Sequence, residues 1–213
     1  MMDERFIRVQ RTARYHVLGS VEAAPEIWIV LHGYGQLARY FLNNFDGLEN
    51  GRCIVAPEGL NRFYLDAEHA RVGATWMTRE DRLNEIEDHV AYLDALAKEI
   101  SRVAMPGAPV NVLGFSQGVA TATRWALKGS RPIARLVLWS GSIPPEFDRE
   151  ALARLKHTPV DLVLGDKDEF ARPEALDIAV RRLEQAGIAC RKHLFNGAHR
   201  FEPVLLARLL GRE

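Results

Sequence analysis

Val110-Asn111-Val112-Leu113-Gly114-Phe115-Ser116-Gln117-Gly118 is the stretch on which the fold turns. Val110 to Gly114 is a short, mostly apolar run of strand-forming residues. From Gln117 the small residues Ala120, Ala122 and Ala126 lead to Lys128 and the closing Gly129, which reads as a helix. A strand that passes straight into a helix, with Gly114 and Gly118 flanking Ser116, has the G-x-S-x-G form. The need for glycine is steric. The turn is so tight that a Cβ at either glycine would collide with the adjacent strand or helix, while the serine hydroxyl is lifted off the sheet to the helix N-terminus. There the Gln117 N–H points at any oxyanion formed beside Ser116. Two glycines and a serine also suit a plain strand-to-helix turn, so the reading depends on the surrounding chain.

Outward from this stretch, Ile27–Leu31, Arg52–Ala56, Ile133–Trp139, Val160–Leu164 and Cys190–Phe195 read as further strands. Ile27–Leu31 is apolar throughout, as expected of a strand covered on both faces. Helical stretches separate them. One runs from about Arg79 to Ser101, where Leu83, Ile86, Val90, Leu93, Ala97 and Ile100 recur at steps of three and four. Thr78 and Asp81 form a weak capping pair before it. Others are Glu174–Gln185, with Pro173 at its first turn and Gly187 after it, and Phe201–Leu210. Phe6–Val9 and Tyr15–Leu18 are expected to form an opening hairpin or a pair of edge strands. Residues 58–78 carry Phe63, Tyr64, Trp76 and Met77 without a clean period, and are expected to be an irregular excursion over one end of the sheet. Short strands alternating with longer helices predict a single α/β domain over residues 1–213, a mostly parallel sheet with helices on both faces.

Composition narrows the function. The 28 Lys and Arg residues balance 28 Asp and Glu, and the densest basic stretch, Arg181 and Arg182 with Arg191 and Lys192, is interrupted. That argues against a nucleic-acid partner, which calls for a basic stripe. No run approaches 18 apolar residues, so no integral membrane span is expected. Met1-Met2-Asp3-Glu4-Arg5 lacks the basic-then-apolar pattern of a secretory leader, and a cytoplasmic location is the expectation. A chain of this length buries roughly 70% of its extended surface and needs no disulfide or metal to hold a core. Cys53 and Cys190 read as small buried hydrophobes. The glycine patterns of nucleotide sites are absent, and Asp166, Asp168 and Glu169 lack calcium-loop spacing, so neither cofactor nor metal is expected.

A serine hydroxyl needs a base to become a nucleophile. Of seven histidines, His199 lies in the small polar loop Asn196-Gly197-Ala198-His199, between the last strand and the last helix. In a parallel sheet that loop emerges at the same edge as Ser116. His32, also at a strand end, reads as a structural histidine bonding its own loop. His16, His69, His89, His157 and His193 read as surface or strand residues. The base in turn needs an orienting acid. Gly165-Asp166-Lys167-Asp168-Glu169-Phe170 follows another strand at the same edge. Asp168 is further out and able to turn back toward His199. Asp166 is nearer the strand, where bonding the backbone of its own turn competes as a role. A second oxyanion donor is available in the loop after Ile27–Leu31: the Tyr34 N–H, between Gly33 and Gly35, with Gln36 close enough to brace the loop. The chain order Ser116, Asp168, His199 is that of the α/β-hydrolases.

With these pieces in place the chain resembles the α/β-hydrolase fold over nearly its whole length, and within it the small phospholipase/carboxylesterase group that includes the acyl-protein thioesterases. Leu31-His32-Gly33-Tyr34-Gly35 resembles the family's oxyanion loop, with Tyr34 as donor. Gly114-Phe115-Ser116-Gln117-Gly118 matches its nucleophile elbow, with Gln117 as the other donor. Gly165-Asp166-Lys167-Asp168 resembles the loop whose later aspartate orients the histidine, which favours Asp168. Gly197-Ala198-His199 resembles its short histidine loop. The resemblance implies a compact hydrolase of acyl esters or thioesters without a large cap or a cofactor, and a possible homodimer. Ala74-Thr75-Trp76-Met77 resembles a segment lining the acyl pocket, except that Met77 and Thr78 stand where Phe and Asp are usual.

The expectation is therefore a serine hydrolase of short or medium acyl esters, with an acyl thioesterase or a catalytically silent binding protein of the same fold as alternatives. Ser116, Asp168 and His199 would form the triad and Tyr34 and Gln117 the oxyanion hole. Trp76, Met77 and Phe170 would contact the substrate, with Tyr40, Phe41, Phe63, Tyr64 and Phe147 as further candidates for an apolar wall.

Overall fold

The computed structural model describes residues 1–22 and 24–211. Strands β1 (Tyr15–Leu18), β2 (Ile27–Leu31), β3 (Cys53–Pro57), β6 (Val110–Phe115), β7 (Arg135–Trp139), β8 (Val160–Gly165) and β9 (Cys190–Phe195) form one sheet in the order β1-β3-β2-β6-β7-β8-β9. All neighbours are parallel except β1, which pairs antiparallel with β3 at the edge. Two further strands, β4 (Asn61–Tyr64) and β5 (Val72–Thr75), make a separate antiparallel hairpin. The expected irregular excursion over 58–78 is thus partly regular. Phe6–Val9 forms no strand, and its apolar side chains are exposed. Among the described residues β1 is therefore the edge strand, paired with β3 alone.

Alternation along each buried strand divides the core in two. Ile27, Ile29 and Leu31 of β2 face one layer with Val110 and Val112 of β6. There they meet α2 (Arg82–Val103), α3 (Gln117–Lys128), α4 (Arg149–Ala153) and α5 (Pro173–Gln185). Trp28, Val30, Leu113 and Phe115 face the other. They pack against α1 (Ala38–Phe41), the following 3-10 turn at Leu42–Phe45, and α6 (Pro203–Leu210). Helices on both faces of a mostly parallel sheet, without a large cap, make the three-layer architecture that the sequence pattern predicts. Among the described residues no helix is long and apolar enough to cross a membrane.

Buried polar residues pin the layers at their seams. Glu58, at the end of β3, accepts from Arg14 at 2.8 and 3.1 Å, Arg62 at 2.6 Å and the Ala38 N–H at 3.2 Å. It ties the N-terminal segment, the hairpin and α1 to one carboxylate. Asp161 in β8 is fully buried among Arg135, Arg191 and His193. α2 departs from its sequence pattern at two positions: Leu83 is exposed, and His89, expected at the surface, is buried among Ile86, Val90 and Leu93. The helix also starts at Arg82 without a side-chain cap at Asp81.

Burial, reinforced by the nearby Arg124 charge, lowers the His89 pKa to about 4. The unfolded chain therefore takes up a proton near pH 6.5 that the folded chain refuses until about pH 4, so stability falls on acidification through that window. His32 is likewise buried and lowered to about 4. Replacing His89 with Leu is expected to remove about half of the loss in unfolding temperature that these two groups cause between pH 7 and pH 4.5. Thermal melts of both proteins across that range test it.

Candidate active site

The parallel ladders bring five strand ends to one rim. Leu31 pairs with Gly114, Phe115 with Trp139, and Gly165 with Phe195. The loops that leave these positions carry His32 to Gln36, Ser116, Asp166 to Phe170 and His199.

Ser116 has φ 54° and ψ −117°, a backbone that L-residues rarely adopt. Such strain costs on the order of 1–3 kcal/mol and persists only where packing enforces it. The enforcement is visible on both sides. A Cβ on Gly114 would overlap the carbonyl of Gly118, and one on Gly118 would overlap the carbonyl of Leu31. The start of α3 therefore presses against the end of β2, which sets the Ser116 hydroxyl next to the loop after β2.

That loop is fixed by His32 and Gln36. His32 Nε2 accepts from the Gly59 N–H at 2.9 Å, so the ring proton sits on Nδ1, which donates to Gly33 O at 2.7 Å. Burial lowers the His32 pKa to about 4, which keeps this neutral tautomer at ordinary pH. The C=O of Gly33 and the N–H of Tyr34 share one trans peptide and point in opposite directions. Holding the carbonyl toward His32 therefore aims the Tyr34 N–H away from it. Gln36 Oε1 accepts the Gly33 N–H at 2.7 Å, and the Gly35 N–H goes to Ala74 O at 2.9 Å. Among the described residues the N–H groups of Tyr34 and Gln117 have no protein partner. The Tyr34 side chain is exposed and stacks on Phe63, with ring centroids 5.1 Å apart.

On the far side, the loops after β8 and β9 are stitched together. Asp166 N–H bonds Phe195 O, Lys167 N–H bonds Gly197 O, and Asp166 Oδ1 accepts the Gly197 N–H at 3.0 Å. Asp166 thus spans to the histidine loop through the backbone. Asp168 reaches the imidazole: its Oδ2 lies 2.8 Å from His199 Nδ1, and its Oδ1 accepts from Phe170 and Ala171 N–H at 2.9 and 3.1 Å. The Asp168 side chain is fully buried. Burial alone would push its carboxyl up, but the bonds from His199 and the Phe170 N–H outweigh that and hold it below the usual value. The imidazole is clasped between Phe115 and Phe170, at centroid distances of 4.9 and 4.7 Å.

Ser116 and His199 line one cavity of about 430 Å³, with Tyr34 and Phe170 also on its walls. Two expected contact residues lie elsewhere. Trp76 is buried, donates Nε1–H to His32 O at 2.9 Å and packs on the His32 ring. Met77 is turned toward Arg124, with its sulfur 3.3 Å from the guanidinium. Neither lines the cavity: Trp76 belongs to the core, and Met77 is half-buried beside Arg124. Asn44, Phe115, Arg200 and Phe201 line the cavity instead. Phe115 and Arg200 were legible as immediate neighbours of Ser116 and His199, whereas Asn44 has no local signal. No cluster of three or more His, Cys, Asp or Glu suited to a metal occurs among the described residues.

The mostly parallel sheet, the elbow and the rim loops define an α/β-hydrolase fold. The phospholipase/carboxylesterase family profile matches residues 15–210, and the chain belongs to that family of hydrolases. Among solved structures it is similar to esterase PE8, with 24% identity over 94% of this chain and 98% of that one and a TM-score of 0.72. It is also similar to acyl-protein thioesterase 2 of Zea mays (19% identity, 93% and 96% covered, TM-score 0.69). A third likeness is to the Bacillus cereus carboxylesterase (13% identity, 93% and 92% covered, TM-score 0.71). No curated protein matches the chain.

The elbow geometry makes a direct prediction about stability. Gly118→Ala places a methyl group on the Leu31 carbonyl, a backbone atom that cannot step aside. It should destabilise the fold by on the order of 3 kcal/mol. Urea unfolding that shows less than about 0.5 kcal/mol of change would contradict the close approach of α3 to β2.

Proposed function

We propose that the protein is a serine hydrolase that cleaves carboxylic esters of short or medium acyl groups through an acyl-enzyme. The observation that carries this reading is that strained Ser116 shares one cavity with His199, whose Nδ1 is bonded to the buried Asp168. Ser116 Oγ attacks the ester carbonyl carbon as His199 Nε2 takes its proton. Asp168, on Nδ1, holds the tautomer that leaves Nε2 as acceptor and stabilises the imidazolium. The tetrahedral oxyanion is held by the N–H groups of Tyr34 and Gln117. Collapse breaks the ester C–O bond, and His199 returns the proton to the departing alcohol. Water, deprotonated by the same imidazole, then attacks the acyl-serine and releases the acid. No cofactor is involved in this scheme.

The walls support this substrate class. Phe115, Phe170 and Phe201 make much of the cavity apolar. An adjoining groove of about 550 Å³ shares Gln36 and Asn44 with it and continues along Tyr40, Leu65 and Val72. The groove mixes these apolar side chains with Arg71, Gln36 and Asn44, so it is the aromatic wall beside the serine that supports a hydrocarbon acyl chain over a sugar or a phosphate.

Ser116→Ala should reduce hydrolysis of p-nitrophenyl butyrate by at least about 1,000-fold while circular dichroism stays unchanged. An active-serine phosphonate should label Ser116 in the wild type but not in a His199→Ala variant. A wild-type chain that takes no label would make it a silent binder. A matched ester and thioester pair, together with esters of two to sixteen carbons, separates the esterase from the thioesterase and sets the chain length.

A further inference from the structure

We infer that the β4–β5 hairpin is a strut that sets both oxyanion donors, and that Thr75 is the positioning residue locking it to Gln117. This rests on the serine-hydrolase reading above. The two donors belong to loops far apart in sequence, after β2 and after β6. Residues 73–77 touch both.

On the Tyr34 side, Ala74 O accepts the Gly35 N–H, one peptide beyond the donor. Gly73 sits so close that a Cβ there would lie 2.6 Å from Gly35 O and 2.8 Å from Gly35 Cα. The Phe63 ring, on the partner strand, stacks on the Tyr34 ring.

On the Gln117 side, the carboxamide of the donor residue itself is gripped from three directions. The Trp76 N–H meets Oε1 at 3.2 Å, which fixes the orientation of the amide. Nε2 then donates to Thr75 Oγ1 at 2.8 Å and to Met77 O at 2.9 Å. The Thr75 hydroxyl proton serves Gln117 Oε1 at 3.1 Å or Met77 O at 2.9 Å. Thr75 is buried, so these bonds are shielded from competing water. Gln117 therefore acts twice: its backbone offers the N–H, and its side chain fastens that backbone to the strut.

An oxyanion donor works only within about 2.7–3.1 Å of the developing charge, and a displacement of about 1 Å costs on the order of 100-fold. A strut that fixes the spacing of two donors should act on the transition state and leave ground-state binding nearly untouched.

Thr75→Val keeps the shape and removes the hydroxyl, whereas Thr75→Ser keeps the hydroxyl. For p-nitrophenyl butyrate, Thr75→Val should lower kcat by about 10- to 100-fold with KM within about 2-fold, and Thr75→Ser should return kcat to within about 3-fold of wild type. Gly73→Ala pushes on the Tyr34 side and should give the same loss in kcat, which keeps the test open if Thr75→Val folds poorly. Unchanged kcat in a folded Thr75→Val or Gly73→Ala protein, a loss confined to KM, or equal damage from Val and Ser would overturn the strut. Phosphonate labelling of Ser116 in the wild type runs alongside. A labelled wild type with an unaffected Thr75→Val variant removes the strut alone, whereas an unlabelled wild type removes the serine reading with it.

Discussion

Everything at the rim depends on one close approach: the first turn of α3 against the carbonyl end of β2, with no side chain between them. Gly118 makes this possible, because any Cβ there would occupy the space of the Leu31 carbonyl. Gly114 has the same role on the neighbouring strand, against Gly118 itself. The contact has two consequences. It forces Ser116 into a backbone state it would not choose, and it brings the loop after β2 alongside the serine. The cost of the strained residue is met by the burial of β6 and α3, whose side chains fill both core layers.

Charge is managed by keeping buried histidines neutral and buried carboxylates paired. His32 is a fixed dipole, with one nitrogen accepting and the other donating, and its neutrality follows from burial. Protonation of its Nε2 would set two donors against each other at Gly59 and release the loop that carries Tyr34. Asp168 is buried yet held ionised by its donors. As pH falls through and below the ordinary carboxylate value, its protonation would forfeit the bond to His199, so that contribution belongs to neutral pH and is lost in acid.

The features that were legible in the sequence share a cause. Gly114, Asp168 and His199 sit at or just past the ends of strands whose apolar runs announce themselves, Gly118 opens the helix that follows one of them, and parallel strands bring their ends to one edge. Asp166 and Asp168 could not be separated by position alone, because both lie in the same turn; only the bonding shows Asp166 spanning to the Gly197 backbone and Asp168 to the imidazole. The β4–β5 hairpin was not legible, since only alternate residues of β4 are even partly covered and its turn is long. His89 misled because a polar residue on the inner face of a helix carries no mark of its burial. Trp76 misled for the opposite reason: an aromatic near a site says nothing about which way it points, and here it packs on His32.

The absence of a large cap puts a particular demand on this hydrolase fold. A capped enzyme can exclude water and let a low dielectric strengthen its dipoles. Here the cavity opens directly to solvent past exposed Tyr34 and Phe170. On the proposed mechanism, stabilisation of an oxyanion must then come from donors whose positions are settled before substrate arrives. The bonding around the proposed donors answers that demand. The Tyr34 peptide is oriented by His32 and braced by Gln36 and Ala74, while Gln117 is held through its own side chain. The strained serine, the neutral histidine and the hairpin are thus three devices for one end: fixing polar groups in a site that cannot rely on dryness.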